Sequence, residues 1–339
     1  AAAAAAATAR NAATCATASP PHVSCPQVAP VQVPAYAAYS YRVEGVVIEP
    51  FEEARRSSFG IDTQFSWEDT PRNEHERQID LASFLMDPAP VGMARYAAYL
   101  VATGYVPSDP TNYLREWPDW GASPPRFPPG NATVPVTGIS LGEARAFCSW
   151  AGGRLPSSLE WQAAAQAGDP GRIYPWSGGS GADSKGPRGT ADEARMMPPV
   201  VHRGRTPAPA DSETLRAGAN PLGLFDLVGN VWQYTSDEYQ DAHSRYVLLR
   251  GGSRYQPKAS SDFQNWYFGS GTPGMNRFVT GGAVRLDRHA KAFLMDASYE
   301  RAATVGFRCA YDERPSHMSA ATAAAAAAAA AAGSEAAAA

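Results

Sequence analysis

The chain has 339 residues, enough for one large domain or two domains of ordinary size. Its net charge is -4 and only 18% of its residues are charged, so it has no basic field suited to nucleic acid or an anionic membrane surface. Glycine (30), proline (29) and aromatic residues are abundant, which favours an irregular, loop-rich domain with an aromatic core over a helix bundle.

The N-terminal segment is rich in alanine and then in proline. Residues 1–7 are all alanine, as are residues 323–332 near the other end. Two interpretations stay open: true low-complexity tails, or stretches whose side chains were not assigned. Residues 19–38 carry prolines too densely for a helix or a central strand, so they are interpreted as an extended linker or as a surface-hugging arm that could dock along a partner. We predict an N-terminal arm over 1–38, one folded domain over 39–315 and a low-complexity tail over 316–339.

Strands and a helix are predicted in the first part of that domain. β-Branched and aromatic residues predict a strand over 39–51, and a second strand around Gln78–Met86 ends before Pro88. Apolar residues at helical spacing then predict a helix over 91–103, and Gly104 is placed to end it.

Two further helices are predicted from their N-terminal residues. Ser140 with Glu143, and Ser157 with Glu160, have the spacing of a capping box, which satisfies free amides in the first helical turn. Three short strand-like segments follow, at 223–239, 246–255 and 305–312.

The sequence has no recognisable motif for a bound cofactor. No Cys-x-x-Cys or Cys/His cluster and no phosphate loop occurs, so zinc, haem and nucleotide are not expected. No run of about 18 bulky apolar residues occurs either, so membrane association would need a lipid anchor or a partner. One group of charged residues is interpreted as solvated surface: Asp237, Glu238, Asp241, Asp287, Arg288 and His289.

Five motifs follow one another along the chain: PVTGISLGEARAFCSWAGGRLPSSLEWQAAAQAG, YPWSG, NPLGLFDLVGNVWQYTSD, LLRGGS and VGFRCAYD. In this order they resemble the formylglycine-generating enzyme (sulfatase-modifying factor) family. The resemblance covers about 39–313 and implies an α+β fold, a variant of the C-type-lectin fold with two to three helices, small antiparallel sheets and little regular structure. Fold likeness alone does not supply function.

The resemblance also implies a disulfide between Cys148 and Cys309. Such a bond lasts only in an oxidising compartment, so it implies a periplasmic, secreted or lumenal location. The alternative is a pair of buried free thiols. Whether Cys15 and Cys25 pair is left open.

Family members hold calcium near a Gly-Asn-Val-Trp-Glu motif. The matching positions here are Asp226, Gly229, Val231 and Gln233. Gln233 replaces the glutamate and removes a charge, and calcium affinity depends on ligand charge. The resemblance therefore implies a calcium site of reduced affinity.

Copper is not expected. The family's oxidase reaction needs two thiolates shortly after the Gly-Gly-Ser turn, and those positions hold Gln256 and Ser261. Amide and hydroxyl groups do not replace thiolates toward Cu(I). No cysteine lies between Cys148 and Cys309, so a shifted alignment does not restore the pair.

These features favour a non-catalytic, extracytoplasmic binding or structural subunit of a larger protein assembly. Its recognition surface is predicted within 254–304, because aromatic residues among small polar ones are typical of interfaces. The alternatives are a maturation oxidoreductase of the same family with altered chemistry, and a hypervariable receptor with a lectin fold. The predicted binding residues are Tyr255, Trp266, Tyr267 and Phe268.

Overall fold

A computed structural model gives the fold. It describes residues 29–44, 46–48, 57–59, 64–65, 67–70, 72, 74–172, 174–176, 207–210, 215–216, 218–240, 245–253, 286, 290–295 and 300–312. Within them lie helices α1 (Met93–Thr103), α2 (Leu141–Trp150) and α3 (Ser158–Ala165). The strands are β1 (Val31–Val33), β2 (Tyr36–Glu44), β3 (Val46–Ile48), β4 (Ser57–Phe59), β5 (Glu74–Leu81), β6 (Phe84–Met86), β7 (Trp232–Gln240), β8 (Arg245–Arg250), β9 (Ala290–Leu294), β10 (Val305–Gly306) and β11 (Ala310–Asp312).

The strands form small sheets, mostly antiparallel. One sheet has the order β1-β6-β11, a second has the order β10-β7-β8-β9, and β2-β5 and β3-β4 form two-stranded pairs. β10 pairs with β7 in parallel, and every other described pairing is antiparallel. The predicted α+β fold with few helices and small sheets is confirmed.

The N-terminal boundary of the domain lies earlier than predicted. β1 pairs with β6, with Val31 opposite Met86, and Val33 is completely buried. β2 begins at Tyr36, so a boundary between residues 38 and 39 would divide a strand. Proline density correctly excludes a helix here, but the backbone between prolines still pairs at a sheet edge. Residues from Val31 onward therefore belong to the folded domain and not to a free arm.

The predicted strand around Gln78–Met86 is two strands. β5 pairs with β2, whereas β6 lies between β1 and β11 in another sheet. The chain leaves the first sheet at Ala82–Ser83, where neither residue is in a strand. Periodicity within the segment does not reveal this change, because both halves are equally compatible with an extended backbone.

The helices begin where their capping residues predict, and α1 also ends at the predicted glycine. Ser140 and Ser157 both form complete capping boxes, with Glu143 and Glu160 as their partners. α1 ends at Gly104, which has φ of 62° and donates its N–H to the carbonyl of Leu100. A left-handed residue at this position is commonly glycine.

Aromatic side chains form much of the main core. Tyr96 on α1 and Phe147 on α2 stack with ring centroids 5.6 Å apart, and Phe147 meets Phe307 edge-on at 5.3 Å. All three are completely buried. Large aromatic rings bury much apolar area per residue, which suits a domain with short helices and strands.

Among the residues that the structure describes, no helix has both the length and the apolar character needed to cross a membrane.

Candidate functional site

The Gly-Gly-Ser turn follows directly on β8. Gly251 and Gly252 have φ of 93° and 70°, a region that side chains with a Cβ rarely adopt. A Cβ on Gly251 would lie 2.5 Å from the carbonyl oxygen of Leu227. The N–H of Gly229 also donates to the carbonyl of Gly251, with an N–O distance of 2.8 Å. The diglycine turn is therefore held against the loop that precedes β7.

Cys148 and Cys309 form the expected disulfide. Their Cα atoms are 5.5 Å apart and both residues are completely buried. The bond joins α2 to the segment between β10 and β11, inside the main core cluster. These two cysteines therefore have no thiolate to offer a metal ion.

The predicted copper and binding positions lie outside the described residues. Gln256 and Ser261 are in this group, and so are all four aromatic residues of the predicted binding surface: Tyr255, Trp266, Tyr267 and Phe268. Of the predicted recognition region 254–304, the structure describes residues 286, 290–295 and 300–304. Ser253, directly before this region, is buried beside the diglycine turn.

The four predicted calcium positions lie close together in the chain and are all buried. Asp226 and Gly229 are in the loop before β7, Val231 directly precedes that strand and Gln233 is its second residue. Gln233 is 0% exposed. The structure therefore brings the predicted residues together, and their hydrogen bonds decide whether they fit a cation.

The side chain of Gln233 uses all of its hydrogen-bonding capacity. Its Oε1 accepts from Trp161 Nε1 at 2.9 Å and from Arg308 Nε at 2.7 Å. Its Nε2 donates to the carbonyls of Asp226 and Leu227, at 3.1 and 3.2 Å. A side-chain amide has two donor hydrogens and two acceptor lone pairs, so this one is fully satisfied.

Arg308 is a buried cation that the sequence interpretation did not single out. Besides Gln233, it donates to the carbonyls of Asp87, Pro88, Phe225 and Asp226, at 2.8–3.2 Å. Burial lowers the pKa of Arg308 to about 10, against the opposing effect of nearby carboxylates, so it stays charged at neutral pH. The sequence did carry a signal for this buried cation, because Arg308 stands between Phe307 and Cys309 in the motif VGFRCAYD.

Asp226 carries a carboxylate oxygen with no hydrogen-bond partner among the described residues. Its Oδ2 accepts from Asn230 Nδ2 at 3.0 Å, whereas the buried Oδ1 has no partner. Burial raises the pKa of Asp226 to about 7, and the hydrogen bond from Asn230 and the charge of Arg308 oppose the rise. The residue has φ of 49°, a conformation that aspartate and asparagine tolerate better than most residues.

These residues do not fit calcium as the resemblance implied. Calcium prefers six to eight oxygen ligands. The oxygen of Gln233 is already used by two donors, one of them cationic, and Asp226 alone retains an unpartnered carboxylate oxygen. Within the described parts of the chain, no group of three or more His, Cys, Asp or Glu residues is arranged to hold a metal.

A second polar cluster lies at the end of β8. Arg250 is completely buried, 5.2 Å above the ring of Trp161, and donates to Gln162 Oε1 at 3.0 Å. Asp237 accepts from the backbone N–H of Ser158, and burial raises the pKa of Asp237. The sequence analysis interpreted Asp237 as solvated surface. In the structure its carboxylate instead accepts a hydrogen bond from the first turn of α3, so that interpretation is wrong for Asp237.

Small sheets, three described helices and a buried disulfide between α2 and the last strands define a domain of the formylglycine-generating enzyme type. Residues 56–313 match the sulfatase-modifying factor enzyme 1-like domain, and the chain belongs to this family.

Relatives of two kinds resemble the chain. It is 37% identical over 128 residues to the inactive C-alpha-formylglycine-generating enzyme 2 of Bos taurus, across 35% of this chain and 38% of that protein. It is 28% identical over 281 residues to the formylglycine-generating enzyme of Bos taurus, across 71% of this chain and 68% of that protein. The solved structure of PvdO from Pseudomonas aeruginosa matches at 17% identity with a TM-score of 0.44, across 82% of this chain and 93% of that one. The match thus spans little more than a third of the inactive bovine protein.

Proposed function

We propose that this chain is a non-catalytic binding or structural subunit on the formylglycine-generating enzyme scaffold. It acts outside the cytoplasm, within a larger protein assembly. The proposal concerns the copper-dependent oxidase chemistry of the family, for which the chain lacks the sulfur ligands.

This proposal rests on the positions of the cysteines in the chain. The chain has four cysteines, and two of them, Cys148 and Cys309, form a buried disulfide. Between those two positions the sequence has no other cysteine, and the expected thiolate positions hold Gln256 and Ser261. Cu(I) selects soft sulfur ligands, and neither an amide nor a hydroxyl is a substitute.

Two further observations support it. One relative in the same family is named as an inactive enzyme, and it is 37% identical to the matching part of this chain. The buried disulfide favours an oxidising compartment, since cytosolic reductants keep most thiols reduced.

The contact surface is proposed within the segment after the diglycine turn. Tyr255, Trp266, Tyr267 and Phe268 stand among glycine, serine and asparagine residues. Aromatic anchors with adaptable polar neighbours are typical of protein interfaces. The turn itself is held in place by the hydrogen bond from Gly229 to the carbonyl of Gly251, and the carbonyl of Leu227 leaves no room there for a Cβ.

The test is metal binding and turnover by the purified full-length chain. We expect no stoichiometric copper or iron by mass spectrometry and no Cu(I) uptake in titration. The matched control is the double variant Gln256→Cys/Ser261→Cys, which returns two thiols to the segment and should take up Cu(I). Stoichiometric copper or iron in the wild type, with oxygen consumption on a thiol peptide, would overturn the proposal.

The subunit role is tested by capture from the native source. The wild type should retain a defined partner that the double variant Trp266→Ala/Tyr267→Ala loses. Trp150→Ala is the control, because Trp150 is 43% exposed on α2, away from the proposed surface in sequence. Equal recovery of the partner by all three proteins contradicts the proposed surface.

A second candidate is an oxidoreductase of the same family with altered chemistry. The observation that favours it is the longer match to the bovine protein named formylglycine-generating enzyme, which covers 71% of this chain. Turnover of a thiol or amine substrate together with a bound transition metal would select this candidate.

A further inference from the structure

The turn between Asp226 and Gln233 is closed by side-chain and backbone groups of the protein itself. The Nε2 of Gln233 lies 3.1 and 3.2 Å from the carbonyl oxygens of Asp226 and Leu227. The two hydrogens of the Gln233 amide are therefore donated to two consecutive carbonyls, and these bonds join the loop to the start of β7. The same amide is held from its other end by Trp161 and Arg308.

A glutamate could not make this arrangement alone. One carboxylate oxygen could still accept from Trp161 and Arg308, as the oxygen of Gln233 does. The other would stand where Nε2 now stands, within about 3 Å of two carbonyl oxygens and without a hydrogen to share. Buried oxygens with partial or full negative charge at such distances repel one another unless a cation lies between them.

We propose that the side-chain amide of Gln233 takes the structural place of a divalent cation at this turn. The domain therefore folds without calcium, and the single change Gln233→Glu converts the turn into a calcium-dependent one. This inference does not depend on the proposed function, because it concerns how the loop before β7 is held.

Asp226 makes the conversion chemically reasonable. Its buried Oδ1 has no hydrogen-bond partner among the described residues, and its backbone carbonyl is one of the two that Gln233 binds. With a glutamate at 233, the turn would hold two carboxylates and at least two carbonyls. Oxygen ligands of this kind, with two formal negative charges, are those that calcium prefers.

The experiment compares thermal unfolding in EGTA and in millimolar calcium for three full-length proteins. The wild type should have the same Tm in both and show no calcium binding by calorimetry. Gln233→Glu should lose roughly 5 °C or more in EGTA, because a buried carboxylate oxygen faces two carbonyl oxygens with no hydrogen to donate to them. The variant should recover most of this loss in calcium but not in magnesium.

The matched control is Gln162→Glu. Gln162 is also buried and also uses its amide, donating to the carbonyl of Arg42 and accepting from Arg250. This variant should lose stability in EGTA and regain none in calcium, which separates a specific cation site from a general response to a buried charge.

Each outcome decides the inference. A wild type that binds calcium at one equivalent and gains stability from it contradicts the replacement. A Gln233→Glu variant that is equally stable in EGTA, or that stays unfolded in calcium, contradicts the conversion. The wild-type measurement stands even if that variant does not fold.

Discussion

At the scale of single residues, the turn before β7 shows how burial constrains polar side chains. Gln233 satisfies all four of its hydrogen-bonding sites, and Arg308 has five acceptors around its guanidinium. Asp226 differs, because its buried Oδ1 has no partner among the described residues. An unsatisfied buried oxygen costs free energy of folding, so Asp226 is one residue at which pH should change stability.

Asp226→Asn should remove a pH dependence of stability. Burial raises the pKa of Asp226 from 3.8 to about 7, so the folded state binds this proton more tightly than the unfolded chain does. Protonated Asp226 therefore contributes most to the free energy of unfolding below pH about 4, the pKa of the unfolded chain. Roughly 4 kcal/mol of that free energy is lost as the pH rises from about 4 to about 7. The variant should be more stable than the wild type near pH 8, as measured by urea unfolding in EGTA.

Asp119→Asn is the control for this comparison, because Asp119 is exposed. It should keep the wild-type dependence on pH. If Asp226→Asn unfolds more easily than the wild type at about pH 8, the carboxylate is stabilising and the proposed cause of the raised pKa is wrong.

At the scale of elements, helix starts are predicted well and strand partners are not. Both capping boxes and the end of α1 at Gly104 follow from residues within one turn of the helix. The division between β5 and β6 depends instead on β2, β1 and β11, which lie elsewhere in the chain. Local hydrogen bonds can be predicted from spacing, whereas strand pairing needs the fold.

Ser157→Ala should weaken α3. The hydroxyl of Ser157 accepts from the N–H of Glu160 at 3.1 Å, and Ala cannot replace it. We expect a loss of about 1 kcal/mol in the free energy of unfolding, measured with urea. Ser149→Ala is the control, because Ser149 is exposed inside α2, where alanine favours the helix; that variant should be as stable as the wild type or more so. Equal stability of Ser157→Ala and the wild type would contradict a capping role.

At the scale of the whole molecule, one covalent bond joins distant parts of the chain. The disulfide spans 161 residues and connects α2 with the segment that leads into β11. β11 in turn pairs with β6, whose other neighbour is β1. The core is thereby closed by elements from the beginning, middle and end of the described domain.

Cys148→Ala/Cys309→Ala should therefore destabilise the domain strongly. Release of this loop restores freedom to the unfolded chain, and chain-entropy estimates for loops of this size give roughly 3–5 kcal/mol. Urea unfolding of the double variant, beside the wild type with and without reductant, measures the effect. Fully reduced wild type should unfold at about the urea concentration of the double variant. A loss under about 1 kcal/mol would show that packing alone holds these segments together.

The sequence by itself determined the helix starts, the α+β class, the family resemblance and the expectation of a disulfide. It did so because capping boxes are local and because the family motifs stand in one order along the chain. Only the tertiary structure decided how Gln233 and Asp237 are bound and where the domain begins. The donors to Gln233 lie 72 and 75 residues away from it in the chain. Whether a buried amide is satisfied depends on such distant partners, and no spacing within a motif reveals them.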